Sequence, residues 1–237
     1  MSPEETKGLL RIFCAWAPES IVGWIPDLLG KEEEFLPVLS REEQAQYWQL
    51  RNKRRRRSFL HGRLVLRLLA AHACGSTPSQ VPLEVQSNGA PVLKGSPHFC
   101  SLAHTDWGAA AVLASVPVGI DIEYIQPRNP ALARYFLSPS EWEQLQGLFP
   151  EVEVALLQGW TMKEAVLKAQ QTGLRYSPRK LQIERIQEGK ARVSGGINGS
   201  EWVVYFGRYE GHCWALAFQN KPVDSGVGTN IQKRFRY

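Results

Sequence analysis

Two short stretches of the chain carry side chains that could do chemistry together. The first is Gly119-Ile120-Asp121-Ile122-Glu123. On a strand, alternate side chains point to opposite faces, so Asp121 and Glu123 share one face and Ile120 and Ile122 the other. Neighbouring carboxylates repel, and such a pair wants a cation between them; hard oxygen donors of this kind suit Mg²⁺. The same pattern also describes a sheet with one wet face. The second stretch is Trp160-Thr161-Met162-Lys163-Glu164-Ala165-Val166-Leu167-Lys168. On a helix, Trp160, Glu164 and Lys168 fall at i, i+4 and i+8, close to one face. Trp160 would anchor that face in a core while Glu164 and Lys168 project into a cleft. Read alone, Glu164 and Lys168 also make an ordinary surface pair worth ~0.3–0.5 kcal/mol.

A third candidate is His104, which closes Phe99-Cys100-Ser101-Leu102-Ala103-His104. A lone histidine at a strand end is commonly structural. No Gly-x-Ser-x-Gly elbow accompanies it, which argues against a Ser-His hydrolase. No glycine-rich phosphate loop of the Walker or dinucleotide type occurs either. The run Lys53-Arg54-Arg55-Arg56-Arg57 is a solvated charged face or a docking surface for an anionic partner. At helical spacing, Arg51, Arg54 and Arg55 form one positive surface, and Arg63 and Arg67 continue the same helix.

These residues need elements to hold them. Ile12 to Trp16 reads as a first strand, followed by a Pro- and Glu-rich loop through residue 40. Ser40 looks like an N-cap with Glu43 as its capping-box partner, opening one long helix from Arg41 to Ala73 that Cys74-Gly75 ends. Ser87-Asn88-Gly89 is a turn. Strands are expected at 99–103, 109–116 and 118–123. Ser138 caps a further helix with Glu141 at the capping-box position, and another helix runs from about Glu151 to Gln170. Strands at 181–186, 190–193, 201–207 and 212–219 complete the pattern. The order strand, helix, strands occurs twice, breaking near residue 117. Helices with antiparallel hairpins in each half indicate an α+β fold. The expected division is 1–117, 118–220 and a loosely attached tail, 221–237.

Composition bounds the function. The chain has 237 residues, 43% hydrophobic and 22% charged, with eight Trp and nine Phe, which excludes a disordered chain and supports a real core. Lys plus Arg is 28 and Asp plus Glu 23, a net charge of +5 that the run 53–57 equals by itself. That excess is mild for a nucleic-acid packaging protein. The four cysteines are too scattered for a zinc knuckle or a redox pair. The acidic N-terminus lacks an apolar signal core, and no apolar run approaches ~18 residues. A cytoplasmic protein with reduced thiols and no membrane contact is expected.

Taken together, Ala103-His104, Gly119 to Glu123 and Trp160 to Lys168 resemble the 4′-phosphopantetheinyl transferases of the surfactin-synthetase-activating type. Those enzymes carry a Ser-His element, a Gly-x-Asp-x-Glu strand and a Trp-x-x-Lys-Glu-x-x-x-Lys helix. Three positions depart from the usual pattern. Ala103 stands where the family often has Ser, and Ala165 likewise. Ala90, in Asn88-Gly89-Ala90-Pro91, stands where a lysine often helps hold a coenzyme A phosphate.

The resemblance implies a pseudo-dimer of two similar α/β halves with the active site at their junction. It implies transfer of the phosphopantetheine arm of coenzyme A to a serine of an acyl or peptidyl carrier protein, by a monomer that uses Mg²⁺. Asp121, Glu123 and Glu164 would bind the metal. Glu164 would also accept the serine proton, Lys168 would stabilise the leaving phosphate, and His104 would hydrogen-bond the pyrophosphate. Lys163 and Glu141 are secondary candidates, the latter orienting the lysines or the base if it is not only a cap. With Ala90 unable to contribute charge, Lys53, Arg54 and Arg63 are the candidate cations for the coenzyme A 3′-phosphate. Two other readings compete: a metal-dependent nuclease, and a nucleic-acid-binding module using residues 51–57. The common nuclease pattern places Glu-x-Lys on a strand, whereas Glu164 and Lys168 have helical spacing. The binding module leaves the acidic cluster without a use.

Overall fold

The computed structural model describes residues 9–14, 20–28, 30–187 and 189–219. Strands β1 (Arg11–Cys14) and β2 (Ser20–Pro26) lead into helices α1 (Arg41–Gln49) and α2 (Lys53–Cys74). Then come β3 (Leu83–Val85), β4 (Pro91–Leu93), β5 (Phe99–His104) and β6 (Gly108–Ala114). The second part of the chain supplies β7 (Val118–Tyr124), α3 (Pro139–Leu148), α4 (Val152–Ala169), β8 (Gln182–Gln187), β9 (Lys190–Ser194), β10 (Glu201–Tyr209) and β11 (His212–Gln219). One antiparallel sheet has the order β1-β2-β6-β5, the other β7-β11-β10-β9-β8, and β3-β4 is a separate hairpin.

Alternation along the strands sorts the side chains into three apolar clusters. Leu64, Leu68 and Leu69 of α2 pack on Ile25, Ala109 and Ala111 of the first sheet. Met162, Ala165 and Val166 of α4 pack on Ala215, Ala217 and Val204 of the second. Between the sheets, Trp24, Ala110 and Val112 meet Ile120, Ile122 and Leu216. The fold is α+β, with each antiparallel sheet covered by its own long helix. Among the described residues no helix is long and apolar enough to cross a membrane.

Both halves use the same fastening. Ser40 and Ser138 cap α1 and α3, and Glu43 and Glu141 complete the capping boxes. Each glutamate is buried and paired with a buried cation from the long helix, Arg67 for Glu43 and Lys163 for Glu141. The remaining donors of each cation serve loop carbonyls. Arg67 donates to Pro78 O at 2.8 Å and Val81 O at 3.0 Å; Lys163 donates to Phe136 O at 2.6 Å and Leu181 O at 2.8 Å.

Several expectations are corrected. The stretch 41–73 is two helices, because the backbone is extended at Leu50 and Asn52 Oδ1 caps α2 by accepting from Arg55 N at 3.1 Å. Arg51 therefore lies off the helix and does not share a helical face with Arg54 and Arg55. Arg56 turns back to donate to Leu50 O and covers the Tyr47 and Trp48 rings, while Arg57 pairs with Glu32 at 3.1 Å. Residues 20–26, expected as loop, form β2 in the first sheet. The expected strand 12–16 overlaps β1, with residues 15 and 16 outside the described set, as is the expected tail 221–237.

His61, on α2, is fully buried, and its Nε2 accepts from Leu28 N at 3.3 Å. Burial, only partly opposed by Asp27, pushes its pKa from 6.5 down to about 4. The unfolded chain therefore binds the extra proton first, and stability falls as the pH drops from 6.5 to about 4. Urea melts across that window should show His61→Gln losing about 3 kcal/mol less stability than the wild type over the same interval.

Candidate active site

The site begins with a glycine that must be small. A Cβ on Gly119 would lie 2.0 Å from Ala165 O and 2.5 Å from Ala169 N, so any side chain there would push α4 off β7. With glycine in place, α4 lies directly on the strand. Gly119, Asp121 and Glu123 alternate onto the face toward α4, and Ile120 and Ile122 face the first sheet. One turn beyond Glu164, Lys168 reaches back and donates to Asp121 Oδ1 at 2.7 Å.

The first half contributes from the edge strand β5. Ser101 Oγ accepts from Ile120 N at 3.2 Å, tying β5 to β7 across the seam between the sheets. His104, at the end of β5, lies 2.9 Å through Nδ1 from Ser58 Oγ of α2. Gly62, one turn after Ser58, lets α2 approach: a Cβ there would stand 3.1 Å from Leu102 Cδ1 and 3.4 Å from His104 Cδ2.

Two adjoining depressions share Ser58 and His104. The first, about 290 Å³, is lined by Arg63, Ala90, Ser101, His104, Lys168 and Gln171 among others. The second, about 240 Å³, is lined by Arg54, Asp106, Trp107, Glu123, Tyr124 and Arg128 among others. They form a groove across the seam, with lysine, arginine and histidine on its walls and the carboxylates beneath α4.

Electrostatics follow from burial. Desolvation raises the Asp121 pKa, and Lys168 opposes the rise. Desolvation and then the Asp121 charge raise that of Glu123. Glu164 is pushed up to about 7, by burial first and by Asp121 next. His104 is pushed down by burial and by the Lys168 charge, so its imidazole tends to stay neutral.

The expected site residues divide cleanly. His104, Asp121, Glu123, Glu164 and Lys168 come together, with Arg63 and Ala90 on the wall of the larger depression. Arg54 lines the smaller one and pairs with Asp106 at 2.9 Å. Lys53 starts α2 and lines neither depression. Lys163 is a correction: it is fully buried on the other side of α4, with Phe136 O, Leu181 O and Glu141 around its ammonium, and does not reach the groove. Glu141 is buried with it, accepting also from Ser138 N and Ile183 N; it is a cap and a staple, not an orienting group for the base. Ser58, Asn88, Arg128 and Gln171 were not anticipated. Asn88 had a local signal in the turn it shares with Ala90, and Ser58 sits one helical turn before the glycine that faces β5.

A metal ion fits these residues by one test. Asp121 Oδ2 and Glu164 Oε1 are buried and have no hydrogen-bond partner among the described residues. An unpaired buried acceptor costs ~1–3 kcal/mol, and a bound cation would remove that cost. Among the described residues no group of three His, Cys, Asp or Glu is drawn in as a ready-made metal cage. Hard carboxylate oxygens of this kind are ligands for Mg²⁺, which completes its shell with water and phosphate oxygens.

The sequence is similar to that of known proteins. A family model described as "4'-phosphopantetheinyl transferase superfamily" matches residues 117–218, which run from before β7 to within β11. The 4'-phosphopantetheinyl transferase psf-1 of Bacillus pumilus is 32% identical over 164 residues, covering 68% of this chain and 70% of that one. The chain belongs to the 4′-phosphopantetheinyl transferase family. A Bacillus subtilis 4'-phosphopantetheinyl transferase is 30% identical over 148 residues, 61% of this chain and 66% of its own length. The 4'-phosphopantetheinyl transferase Sfp of Bacillus subtilis strain 168 is 23% identical over 183 residues, 76% of this chain and 80% of that one. The chain thus aligns with about two thirds of the first two relatives and four fifths of the third.

Within the family's helix motif, Lys163 and Glu164 do different work despite being adjacent. Lys163→Met breaks a buried ion pair and should cost about 3–5 kcal/mol in urea unfolding. The fraction that stays folded should keep a wild-type KM for coenzyme A, because the side chain never faces the groove. A raised KM with unchanged stability would return Lys163 to the cofactor site.

Proposed function

We propose that this transferase moves the phosphopantetheine arm of coenzyme A onto a serine hydroxyl of an acyl or peptidyl carrier protein. The observation that carries the reading is the meeting of Asp121, Glu164 and Lys168 beside His104 across one seam. The serine oxygen forms a bond to phosphorus, the bond from that phosphorus to adenosine 3′,5′-bisphosphate breaks, and the serine proton must be removed.

Asp121, Glu123 and Glu164 would hold the Mg²⁺ ion, which when bound neutralises charge on the pyrophosphate. Glu164 takes up the serine proton, directly or through water. Lys168 sets its ammonium against the phosphate oxygens on which charge develops. His104, kept neutral and oriented by Ser58, offers a hydrogen bond to the pyrophosphate. In this scheme residues 1–117 supply cofactor and carrier contacts and 118–220 the metal site and catalytic helix. A single chain then holds a whole site, consistent with a monomer.

Arg63 lines the same depression as Ala90, with Lys168 the other basic side chain there. Its guanidinium stacks over Phe59 at 5.3 Å and stands 3.3 Å from Glu43, which fixes its direction. It supplies the positive charge for the coenzyme A 3′-phosphate that a turn lysine would otherwise provide. The exposed cations Lys53, Arg54 and Arg55 lie at the start of α2, where an acidic carrier can be steered toward the groove.

Incubation with coenzyme A, Mg²⁺ and an apo carrier protein, followed by mass measurement of the carrier, tests the assignment. Wild type should add the phosphopantetheine mass. Asp121→Ala and Glu164→Gln should slow transfer about 10²-fold or more, and Lys168→Arg about tenfold or more while remaining folded. Transfer at the wild-type rate in all three would make these residues a structural cluster.

The 3′-phosphate contact has its own readout. Wild type should prefer coenzyme A over its 3′-dephospho form, and Arg63→Ala should raise KM for coenzyme A about tenfold with little change for the dephospho form. Equal use of both by the wild type would remove Arg63 from that role.

A further inference from the structure

A second cleft, of about 300 Å³, lies on the other side of the catalytic strand. Ala114, Val118 and Phe218 lie in the apolar cluster between the sheets, and the cleft is lined by Trp24 and His212 among others. Ile120 and Ile122 of β7 line this wedge, whereas Asp121 and Glu123 point the opposite way. It shares no lining residue with the groove that holds His104 and Lys168.

The walls are apolar and largely aromatic. Trp24 stands edge-on to His212 at 4.8 Å and to Tyr209 at 5.6 Å, and Phe13 stands edge-on to Tyr209 at 5.1 Å. Most polar atoms at this wall are already engaged. His212 Nδ1 faces Glu210 O at 2.8 Å and can only donate to it, so Nε2 accepts from the Thr105 hydroxyl at 2.9 Å. The Tyr209 hydroxyl accepts from Arg11 at 2.7 Å. Trp24 is different. It is 5% exposed, and its indole Nε1–H has no hydrogen-bond partner among the described residues. A buried indole N–H ordinarily finds an acceptor.

We propose that this inter-sheet wedge is a second ligand site, which takes a small, uncharged, flat apolar molecule carrying one hydrogen-bond acceptor for the Trp24 indole. The aromatic walls favour a ring or an unsaturated chain, since edge and face contacts with Phe13, Tyr209 and Trp214 are available along its length. A charged ligand is disfavoured: the one charged residue on the lining, Arg208, is exposed and already paired with Glu151 at 3.1 Å, which leaves no free counter-charge to offset desolvation. Small residues make the room: Ala110 on one wall and Gly207 on the other, where a Cβ would already stand 3.0 Å from the Trp214 ring.

Equilibrium dialysis of the full chain against 2-acetylnaphthalene and 2-ethylnaphthalene tests both parts of the proposal. The two probes match in shape, and only the first carries an acceptor. The acetyl compound should bind about three- to tenfold more tightly, and coenzyme A with Mg²⁺ should displace neither. Trp24→Phe should bring the two affinities together. Val22→Phe, and Leu216→Phe from the opposite wall, should weaken both at least about tenfold by filling the space. Thermal melts show which of these two fillings remains folded, and either suffices. Lack of binding by both probes, displacement by coenzyme A, or unchanged binding in a folded filling variant would overturn the site. Retention of the acetyl preference in Trp24→Phe would overturn the role of the indole.

Discussion

The contact between Gly119 and the backbone of Ala165 and Ala169 sets the geometry of everything around it. A helix that packs on strand side chains is held off the sheet by their bulk. Here it rests on a bare backbone, and that closeness brings Lys168 within 2.7 Å of Asp121. Glycine also removes rotational freedom at the contact, since no side chain can act as a pivot. The buried Lys163–Glu141 pair then acts as a second point of attachment on the far side of α4. Two fixed points on opposite faces define the helix rotation. Glu164 therefore has one available direction, toward the carboxylates of β7.

Crowding three carboxylates and a lysine under a helix is unfavourable in the free protein. Burial raises the pKa of each of the three acids, and two acidic oxygens are left without partners. The surrounding structure tolerates this because the charges that fasten α4 on its far side are well satisfied. Lys163 has three acceptors, and Glu141 binds two backbone N–H groups besides its lysine. Stability resides in those staples, while Asp121 Oδ2 and Glu164 Oε1 stand unmatched where a ligand can relieve them.

How much of this is legible in the sequence depends on the range of the interaction. Ser40 with Glu43 and Ser138 with Glu141 are local patterns, and both capping boxes form as read. The face shared by Asp121 and Glu123 follows from strand alternation alone. Residues 20–26 were harder, because Gly23, Trp24 and Ile25 are all buried and the strand shows no clean alternation. The break after Gln49 was hidden inside a long polar and basic run whose composition suits a helix throughout. The role of Lys163 was also hidden, because its acceptors lie 18 to 27 residues away in sequence. The motif shows that a lysine stands beside the glutamate, but not which side of the helix meets protein and which meets the groove.

The repeated fastening of the two halves has an evolutionary consequence. Gly23 on β2 faces the Leu10 and Leu69 side chains where Gly119 on β7 faces the backbone of Ala165 and Ala169, and Gly23 and Gly119 pair opposite Ala111 and Ala217. Counting from those glycines, Ile25 matches Asp121, and Leu68 matches Glu164. Both matching residues are buried hydrocarbon in the cluster between α2 and the first sheet. The pattern is that of two copies of one unit: both hold the cap, the buried ion pair and a strand glycine facing the helix, and only the second holds the acids. Freed from chemistry, the other copy could turn its helix into a wall for the shared groove. Selection acting on such a chain sees two records of the same scaffold, one constrained by folding alone and the other by folding and catalysis together.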